Sequence, residues 1–544
     1  MKYIHTLYTL AGLALTLTVG SCSLDRSPLD KLSRDVVWSN PDNAEVVLTG
    51  IYRGNAVYSG PEYAPSDWWS YGGLVFMEFA SDNLYDRRNA NSNFYKISSG
   101  QLVSTNGFIG NYWRNSYSKI GRCNEFLSNA TTLPESAAKT RLIAEARFLR
   151  AAQYFYLSQY FHDVPLITSV LSREEANQAP LNSKKEVVDF VIKELRESAA
   201  ALPRQSEISN ADKGHASKQA ALAFLGRTLM AEERWAEAAE VYKQIIDLGD
   251  NDLAPSYPDL FLAKGENSSE IIFAFQYLEG QAGNAIMQHS YPAKDGGWCI
   301  INVPASLFEA YQFTDGTDFS YDSPLYDPTD LGANRDPRLK YTILYNGAQF
   351  KGSPYISHPD SDSRDKVMGG QTTQTGFLIR KYLDEEYSGP LSLYGGDIPV
   401  IRYAEVLLSY LESKMEADGS VSQKLLDETI NKVRKRPGVD MPAITATSAD
   451  ELRPILRNER RVELACEGIR YWDILRWKIA DQVLVGDIYG APFPGATRTR
   501  YKNNQPDPYS RWYVGTRNFR TPQDYKWPIP QSEQDINPNL RKSK

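Results

Sequence analysis

Between residues 106 and 249 apolar positions recur every three or four residues, the spacing of helices that each bury one stripe. NYWRNSYSKIGRCNEFLSNA places Trp113, Tyr117, Ile120, Phe126 and Leu127 on such a stripe. KTRLIAEARFLRAAQYFYLSQYF continues with Leu142, Ala146, Leu149, Tyr154 and Leu157, and Pro134 and Pro165 stand just outside its ends, as prolines commonly do. ASKQAALAFLGRTLMAEERWAEAAEVYKQIIDLG (216–249) reads as helix, turn and helix. Trp235, Ala238, Ala239, Tyr242 and Ile246 follow a tetratricopeptide pattern, and the small Ala and Gly226 positions let the two helices approach closely. The pattern predicts three or four helix pairs stacked as a partial superhelix.

From 251 to 396 the helical period fades, and Gly, Pro, Asp and Ser become frequent. EIIFAFQY (270–277) and LKYTILYNG (339–347) read as short strands in this loop-rich region, the kind of region where binding residues concentrate. Helical spacing returns in the C-terminal part (397–544), at VIRYAEVLLSYLESKMEADG, SQKLLDETINKVRKRPG and SADELRPILRNERRVELACEG; the closing KWPIPQSEQDINPNLRKSK is Pro-rich and extended. The predicted class is mainly α, with tetratricopeptide-like helix pairs as a scaffold and a loop-rich half containing short strands.

The N-terminus adds a targeting step. MKYIHTLYTLAGLALTLTVGSC has a cationic start, an apolar run and small residues, so 1–21 read as a secretory signal. Cys22 directly ends the apolar run, as in a bacterial lipobox, and is predicted to carry the lipid anchor. Residues 22–40 then form a tether and 41–544 the fold. The net charge of −7 excludes a nucleic-acid partner, whose phosphates call for a basic surface. Cys123, Cys299 and Cys466 are too widely spaced for a disulfide framework or a zinc site, and only five histidines occur, so no metal or cofactor is predicted.

Aromatics make up 12% of the chain, with 34 Tyr and 10 Trp, which suggests a protein that stacks sugar rings. The loop segments SDWWSYGG and KDGGWCIIN therefore nominate Trp68, Trp69 and Trp298 as ligand platforms, with Asp67 beside the first pair as a partner for sugar hydroxyls. RRVELACEGIRYWDILRW (460–477), dense in Arg, Trp and acids, reads instead as structural. Val462, Ala465, Ile469, Trp472, Leu475 and Ile479 form one stripe, Glu467–Arg470 and Asp473–Arg476 are spaced as local ion pairs, and Gly468 marks a bend. FTDGTDFSYD, with Asp315, Asp318 and Asp322, lacks EF-hand spacing and reads as a solvated turn. No motif marks a pair of glycosidase carboxylates or a nucleophile, so no enzyme activity is predicted.

Five segments in order resemble the SusD/RagB family of Bacteroidetes outer-membrane glycan-binding lipoproteins. AEARFLRAAQYFYLSQYFHDVPLIT is similar to the family's helix with a GDVPLIT-type end, His162 standing where Gly is usual. NRDPRLKYTILYNG, RKYLDEE with DIPVIRYAEVLLSYLE, NERRVELACEGIRYWDILRW and WPIPQSEQDINPNL resemble its later signatures, and Asp25 resembles the export signals of such lipoproteins. The resemblance implies a lipid-anchored protein of the cell surface and outer membrane. It would bind a glycan and act as a lid on a SusC-like TonB-dependent transporter, performing no chemistry. It also nominates Asp82 and Asn83, in ASDNLYDRR, and Arg380, beside Lys381, as ligand residues. A peptide-binding RagB-like lid and a non-catalytic tetratricopeptide scaffold are the alternatives.

Overall fold

The structure, a computed structural model, describes residues 34–53 and 68–541. The predicted signal peptide, Cys22, the tether through residue 33 and Asp67 lie outside the described residues. Helix α1 (Pro41–Tyr52), capped by Asn40, packs on α2 (Gly107–Ala130) and α3 (Ala137–Tyr160). Asn106 and Ser136 cap α2 and α3 through their side-chain oxygens, satisfying N–H groups that have no partner within the helix. Helices α4 (Lys184–Ala201), α5 (Lys218–Ala231) and α6 (Trp235–Leu248) follow, α4 opened by a Ser183/Glu186 capping box and α6 closed by left-handed Gly249. Each helix from α2 to α6 packs on the next. Gly226 is required where α5 meets α6, because an added Cβ would overlap the ring of Tyr242.

The last member of the stack comes from much later in the chain. Helix α7 (Tyr403–Asp418) packs on α6, so residues 249–402 form an excursion between two neighbouring helices. The excursion leaves and returns through an antiparallel pair, β2 (Ile271–Phe275) with β6 (Ile398–Arg402), and β6 runs directly into α7. The helical reading of 400–419 thus needs correction at its start, where Val400 to Arg402 are strand. Beside the excursion, β1 (Tyr85–Asp86) joins β3 (Ile301–Asn302), β5 (Leu378–Ile379) and β4 (Ile343–Leu344) in an antiparallel sheet of order β1-β3-β5-β4. The expected strand at 339–347 is only β4, because Arg338–Thr342 form a helical turn. Helices α8 (Ala449–Glu463) and α9 (Arg470–Arg476) and a hairpin of β7 (Gly486–Pro492) with β8 (Arg511–Arg517) complete the C-terminal part; the hairpin has no counterpart in the sequence reading.

A buried ionic cluster joins these parts. Arg338, Lys381, Arg402, Arg434 and Arg436 meet Glu270, Asp336, Glu459, Glu463 and Glu467, five cations against five anions, all buried. Beside it Arg476 and Trp477 Nε1 donate to Glu412, while Arg460 and Arg476 both engage Asp473. The stretch 460–477 is therefore structural, but not as one helix. Gly468, at φ +77°, separates α8 from α9, and a Cβ there would lie 2.5 Å from the Leu74 carbonyl oxygen. The expected Asp473–Arg476 pair forms at 2.8 Å. The expected Glu467–Arg470 pair does not, because Glu467 turns to Arg402 and Lys381 and Arg470 to Asp82.

Glu463 tests the cluster. Burial alone would raise its carboxyl, but Arg436, Arg402 and Arg338 outweigh it and hold it well below the usual carboxylate range. A carboxyl lowered in the fold contributes stability that is present above its unfolded pKa of about 4.3 and is lost as pH falls. Glu463→Ala leaves three guanidiniums short of a carboxylate and is expected to cost ~3–5 kcal/mol at pH 7. The deficit should shrink below about pH 4, where the unfolded parent gains a proton at this position. Chemical denaturation of parent and variant at both pH values measures this; a deficit below about 1 kcal/mol, the scale of a solvated surface pair, would show that the cluster does not act as one unit.

Candidate functional site

The short strand β3 explains how one tryptophan reaches solvent. Trp298 N–H donates to the Gln288 carbonyl and Ile300 N–H to the His289 carbonyl, tying the segment before β3 to the helical turn Ile286–Ser290. Gly297 lies flat on the chain at Tyr291, where a Cβ would overlap the carbonyl oxygen, and Gly296 is left-handed at φ +87°. The two glycines let the backbone pass this crowded point and turn Trp298 outward. Trp298 is 38% exposed, and no other Trp, Tyr or Phe side chain among the described residues is as open.

The Trp298 ring is backed by His289, with centroids 5.4 Å apart, and His289 Nδ1 lies 2.9 Å from the Tyr71 hydroxyl. Burial lowers the His289 imidazole to about 4, with Arg88 adding to the effect, so the ring behind Trp298 is neutral at pH 7. The β1–β3 register places Asp86 opposite Ile301, and Arg87 N–H donates to the Ile300 carbonyl. Arg87 and Arg88 therefore stand at the Trp298 end of the strand pair. Buried Asp86 accepts three bonds from the Arg88 side chain, at 2.9, 3.1 and 2.6 Å, and holds an exposed guanidinium in one orientation. A solvent-facing indole at the same end of the strand pair as an oriented guanidinium is an arrangement that can stack a pyranose and bond its hydroxyls.

The other predicted site residues fall elsewhere. Trp68 is 1% exposed, donates from Nε1 to Gln153 Oε1 at 2.8 Å and packs on Tyr156, Phe224 and Phe275. Trp69 is 5% exposed, bonds the Tyr52 carbonyl and lies under Lys119. Both are core joints between helices and β2 rather than loop platforms. Asp82 and Asn83 are buried too: Arg470 and Arg461 bind the Asp82 carboxylate, and Asn83 bridges Glu78 and Arg461. Arg380 bonds Glu385 and the Lys340 carbonyl as a loop staple. Of the predicted residues that the structure describes, only Trp298 presents a face to solvent. Arg87, Arg88, His289 and Tyr71 were missed, although both arginines stand in the ASDNLYDRR segment that supplied Asp82 and Asn83.

A concave feature lies across the ring series Trp298–His289–Tyr71–Tyr277. It is a cavity of about 290 Å³ with Tyr52, Phe273, Phe275 and Tyr277 in its walls. At its edge His215 Nδ1 and the Tyr52 hydroxyl both bond Glu145 Oε2 at 2.7 Å. Asp315, Asp318 and Asp322 do not converge: they accept from Thr317, Gln312 and Tyr509 respectively. Among the described residues no group of three or more His, Cys, Asp or Glu is placed to hold a metal ion, and no helix is long and apolar enough to cross a membrane.

A stack of helix pairs carries a loop-rich excursion that presents an exposed tryptophan, and comparison with known proteins places this architecture in a class of glycan-binding proteins. The SusD family matches residues 269–543, and a family described as starch-binding, associating with the outer membrane, matches 70–230. A SusD-like carbohydrate-binding protein of Bacteroides fragilis is similar in structure, with a TM-score of 0.90 and 51% identity over 93% of this chain and 100% of that one. A SusD-like protein of Bacteroides ovatus is 24% identical over 85% of this chain and 80% of its own length. The starch-binding protein SusD of Bacteroides thetaiotaomicron is 24% identical over 75% and 77%. The chain belongs to the SusD family.

The two contrasting histidines give a direct check on the site. His289 is lowered to about 4; at His215 burial is outweighed by the Glu145 carboxylate, which raises the imidazole above its usual 6.5. With five histidines in the chain, NMR of isotope-labelled histidine can follow each ring. The expected result is a His289 midpoint near pH 4 and a His215 midpoint above 6.5. Because His289 charges in the unfolded chain first, its contribution to stability is lost as pH falls from about 6.5 toward 4. A His289 midpoint at or above 6.5 would contradict the buried, neutral backing ring.

Proposed function

We propose that this protein captures an oligosaccharide at the cell surface on the face carrying Trp298. In this reading it is anchored in the outer membrane through lipid on Cys22 and passes the glycan, as a lid, to a SusC-like TonB-dependent transporter. One observation carries the proposal: the most open aromatic side chain among the described residues is projected by a Gly–Gly step at the end of the β1–β3 pair that also holds an oriented arginine. The relatives' names support the ligand class, since one is called starch-binding, and a surface glycan-binding protein A of Bacteroides thetaiotaomicron, similar in fold, is in complex with laminarihexaose (21% identity, TM-score 0.68, 92% of this chain and 98% of that one). The job asks for capture and release without bond cleavage, so the ligand leaves as it arrived.

A shallow face binds weakly, because the entropy of association offsets much of the contact energy. The expected Kd is roughly 10 μM to 1 mM for an oligosaccharide. Trp298→Ala should weaken it by ~1–3 kcal/mol, the worth of one buried aromatic face, while the melting temperature stays within about 2 °C of the parent. Trp68→Ala and Trp69→Ala should do the reverse, each lowering stability by ~3–5 kcal/mol as truncated core aromatics. Calorimetry against a glycan panel and a peptide pool, with thermal melts, separates the readings. Binding of peptides but not glycans would favour the RagB-like lid, and no ligand at all would favour a pure scaffold. Reducing sugar released from a bound oligosaccharide would overturn the non-catalytic reading.

A further inference from the structure

The charge clusters of this protein differ in balance. The central one holds equal numbers of cations and anions, but the one around Asp82 does not. Arg461 and Arg470 both contact the Asp82 carboxylate, at 2.9 and 2.8 Å. A third guanidinium, Arg517, adds to the field on the same carboxylate. Arg517 is 5% exposed and makes no ion pair among the described residues. Its Nη2 donates to the Leu84 carbonyl at 3.1 Å, and its Nε has no hydrogen-bond partner. Three guanidiniums, Arg470 and Arg517 buried and Arg461 half-buried, therefore act on one carboxylate. An unmatched buried charge is costly unless something compensates it.

Arg517 also borders a cavity. A space of about 190 Å³ lies between the hairpin β7–β8 and the far end of the β1–β3 pair, away from Trp298, with Asp82, Ser306, Glu309, Asp487, Tyr489 and Arg517 in its walls. The wall carboxylates already have cations of their own: Glu309 has Arg511 at 3.2 Å, Asp487 has Lys502 at 2.8 Å, and Asp82 has its two arginines. Arg511 is shared with Asp507. Counting the wall groups and their ion-pair partners, the cations Arg461, Arg470, Lys502, Arg511 and Arg517 stand against the anions Asp82, Glu309, Asp487 and Asp507, five against four; Glu78, which also acts on Arg470, is pushed up to about 7 by burial and so is only partly charged at pH 7. The surplus positive charge belongs to the buried side of the cavity, where Arg517 stands.

We infer that this cavity binds the carboxylate of a single acidic sugar residue, with Arg517 as its counter-charge. The size fits one sugar ring and not an oligosaccharide, since pockets for larger ligands run from about 300 to 1,000 Å³. A planar guanidinium matches a carboxylate, Tyr489 supplies a hydroxyl, and Ser306, whose O–H donates to the Asp82 carbonyl, supplies an acceptor oxygen for a sugar hydroxyl. Burial lowers the Arg517 guanidinium from its usual value and brings Arg461 down to about 10, as expected where positive charge is incompletely matched. The ligand class rests on the glycan-binding reading above, but the cavity and the Trp298 face are separate and can fail separately.

The test uses glucuronate as the probe, with glucose and acetate as controls, and reads binding by calorimetry or ligand-observed NMR. The parent should bind glucuronate, with glucose and acetate each at least ~10-fold weaker. Arg517→Met should weaken glucuronate by ~10- to 100-fold, the worth of a charge-assisted contact. Val485, 42% exposed at the cavity rim, gives a second variant that leaves the core alone. Val485→Asp should weaken glucuronate and Val485→Lys should strengthen it, both with the parent's melting temperature. Trp298→Ala should leave glucuronate binding intact, and Arg517→Met should leave neutral oligosaccharide binding intact. Glucuronate binding that survives both Arg517→Met and Val485→Asp, or no glucuronate binding by the parent, would overturn the inference. Acetate binding as tightly as glucuronate would overturn the sugar assignment and leave an adventitious ion only.

Discussion

The structure depends on burying charge. Arg402, the last residue of β6, bonds Glu270 before β2, Glu463 at the end of α8 and Glu467 in the turn before α9. That one side chain holds the exit and return of the loop-rich excursion against the C-terminal helices. Taking a charge out of water costs several kcal/mol, and the attraction between partners returns it only when geometry and hydrogen bonding are complete. A closed set of five cations and five anions meets the condition, but only if all its segments arrive together. The cluster therefore acts less as a source of net stability than as a constraint on which arrangement of the chain is acceptable.

The same constraint sets the position of the proposed binding face. Glu78 accepts the Arg470 N–H and an Asn83 side-chain N–H, and Asp82 receives Arg470 and Arg461, so the segment leading to β1 is fastened to the C-terminal helices. β1 in turn pairs with β3, and the chain just before β3 carries Trp298. The exposed indole thus sits a few residues from a strand pair that is anchored by buried ions on one side and backed by His289 and Tyr71 on the other. A site of this kind can have loop chemistry with scaffold rigidity, which limits the ordering cost of binding a flexible glycan.

How much of this was legible in the sequence follows from the range of each interaction. The stacked helices were readable because their stripes have a local period, and Gly226 announced the close approach that Tyr242 makes. Asp473–Arg476 was readable because the partners are three residues apart. Glu467 was misassigned because its partners, Arg402 and Lys381, are far away in the chain and nothing local marks them. Trp68 and Trp69 were misplaced for a similar reason. Their Ser- and Gly-containing surroundings indicate a loop, and a loop can still turn its large side chains into a core built by α3, α5 and β2. Trp298 has much the same local signature, and only the tertiary position of Tyr291 against Gly297 turns it outward.

The two kinds of charge cluster also show what burial alone cannot decide. In the central cluster each guanidinium finds carboxylates within the fold, and a ligand has no electrostatic role there. Around Asp82 the ingredients are the same, and two arginines saturate the carboxylate before Arg517 is counted. Residue type and exposure would class Arg402 and Arg517 together, since both are buried arginines at strand ends. They separate only when partners are counted: Arg402 meets three carboxylates, whereas Arg517 spends one N–H on a backbone carbonyl. In a chain this rich in buried arginine, the balance of charge around each one, rather than its burial, distinguishes a side chain that closes the fold from one with capacity left over.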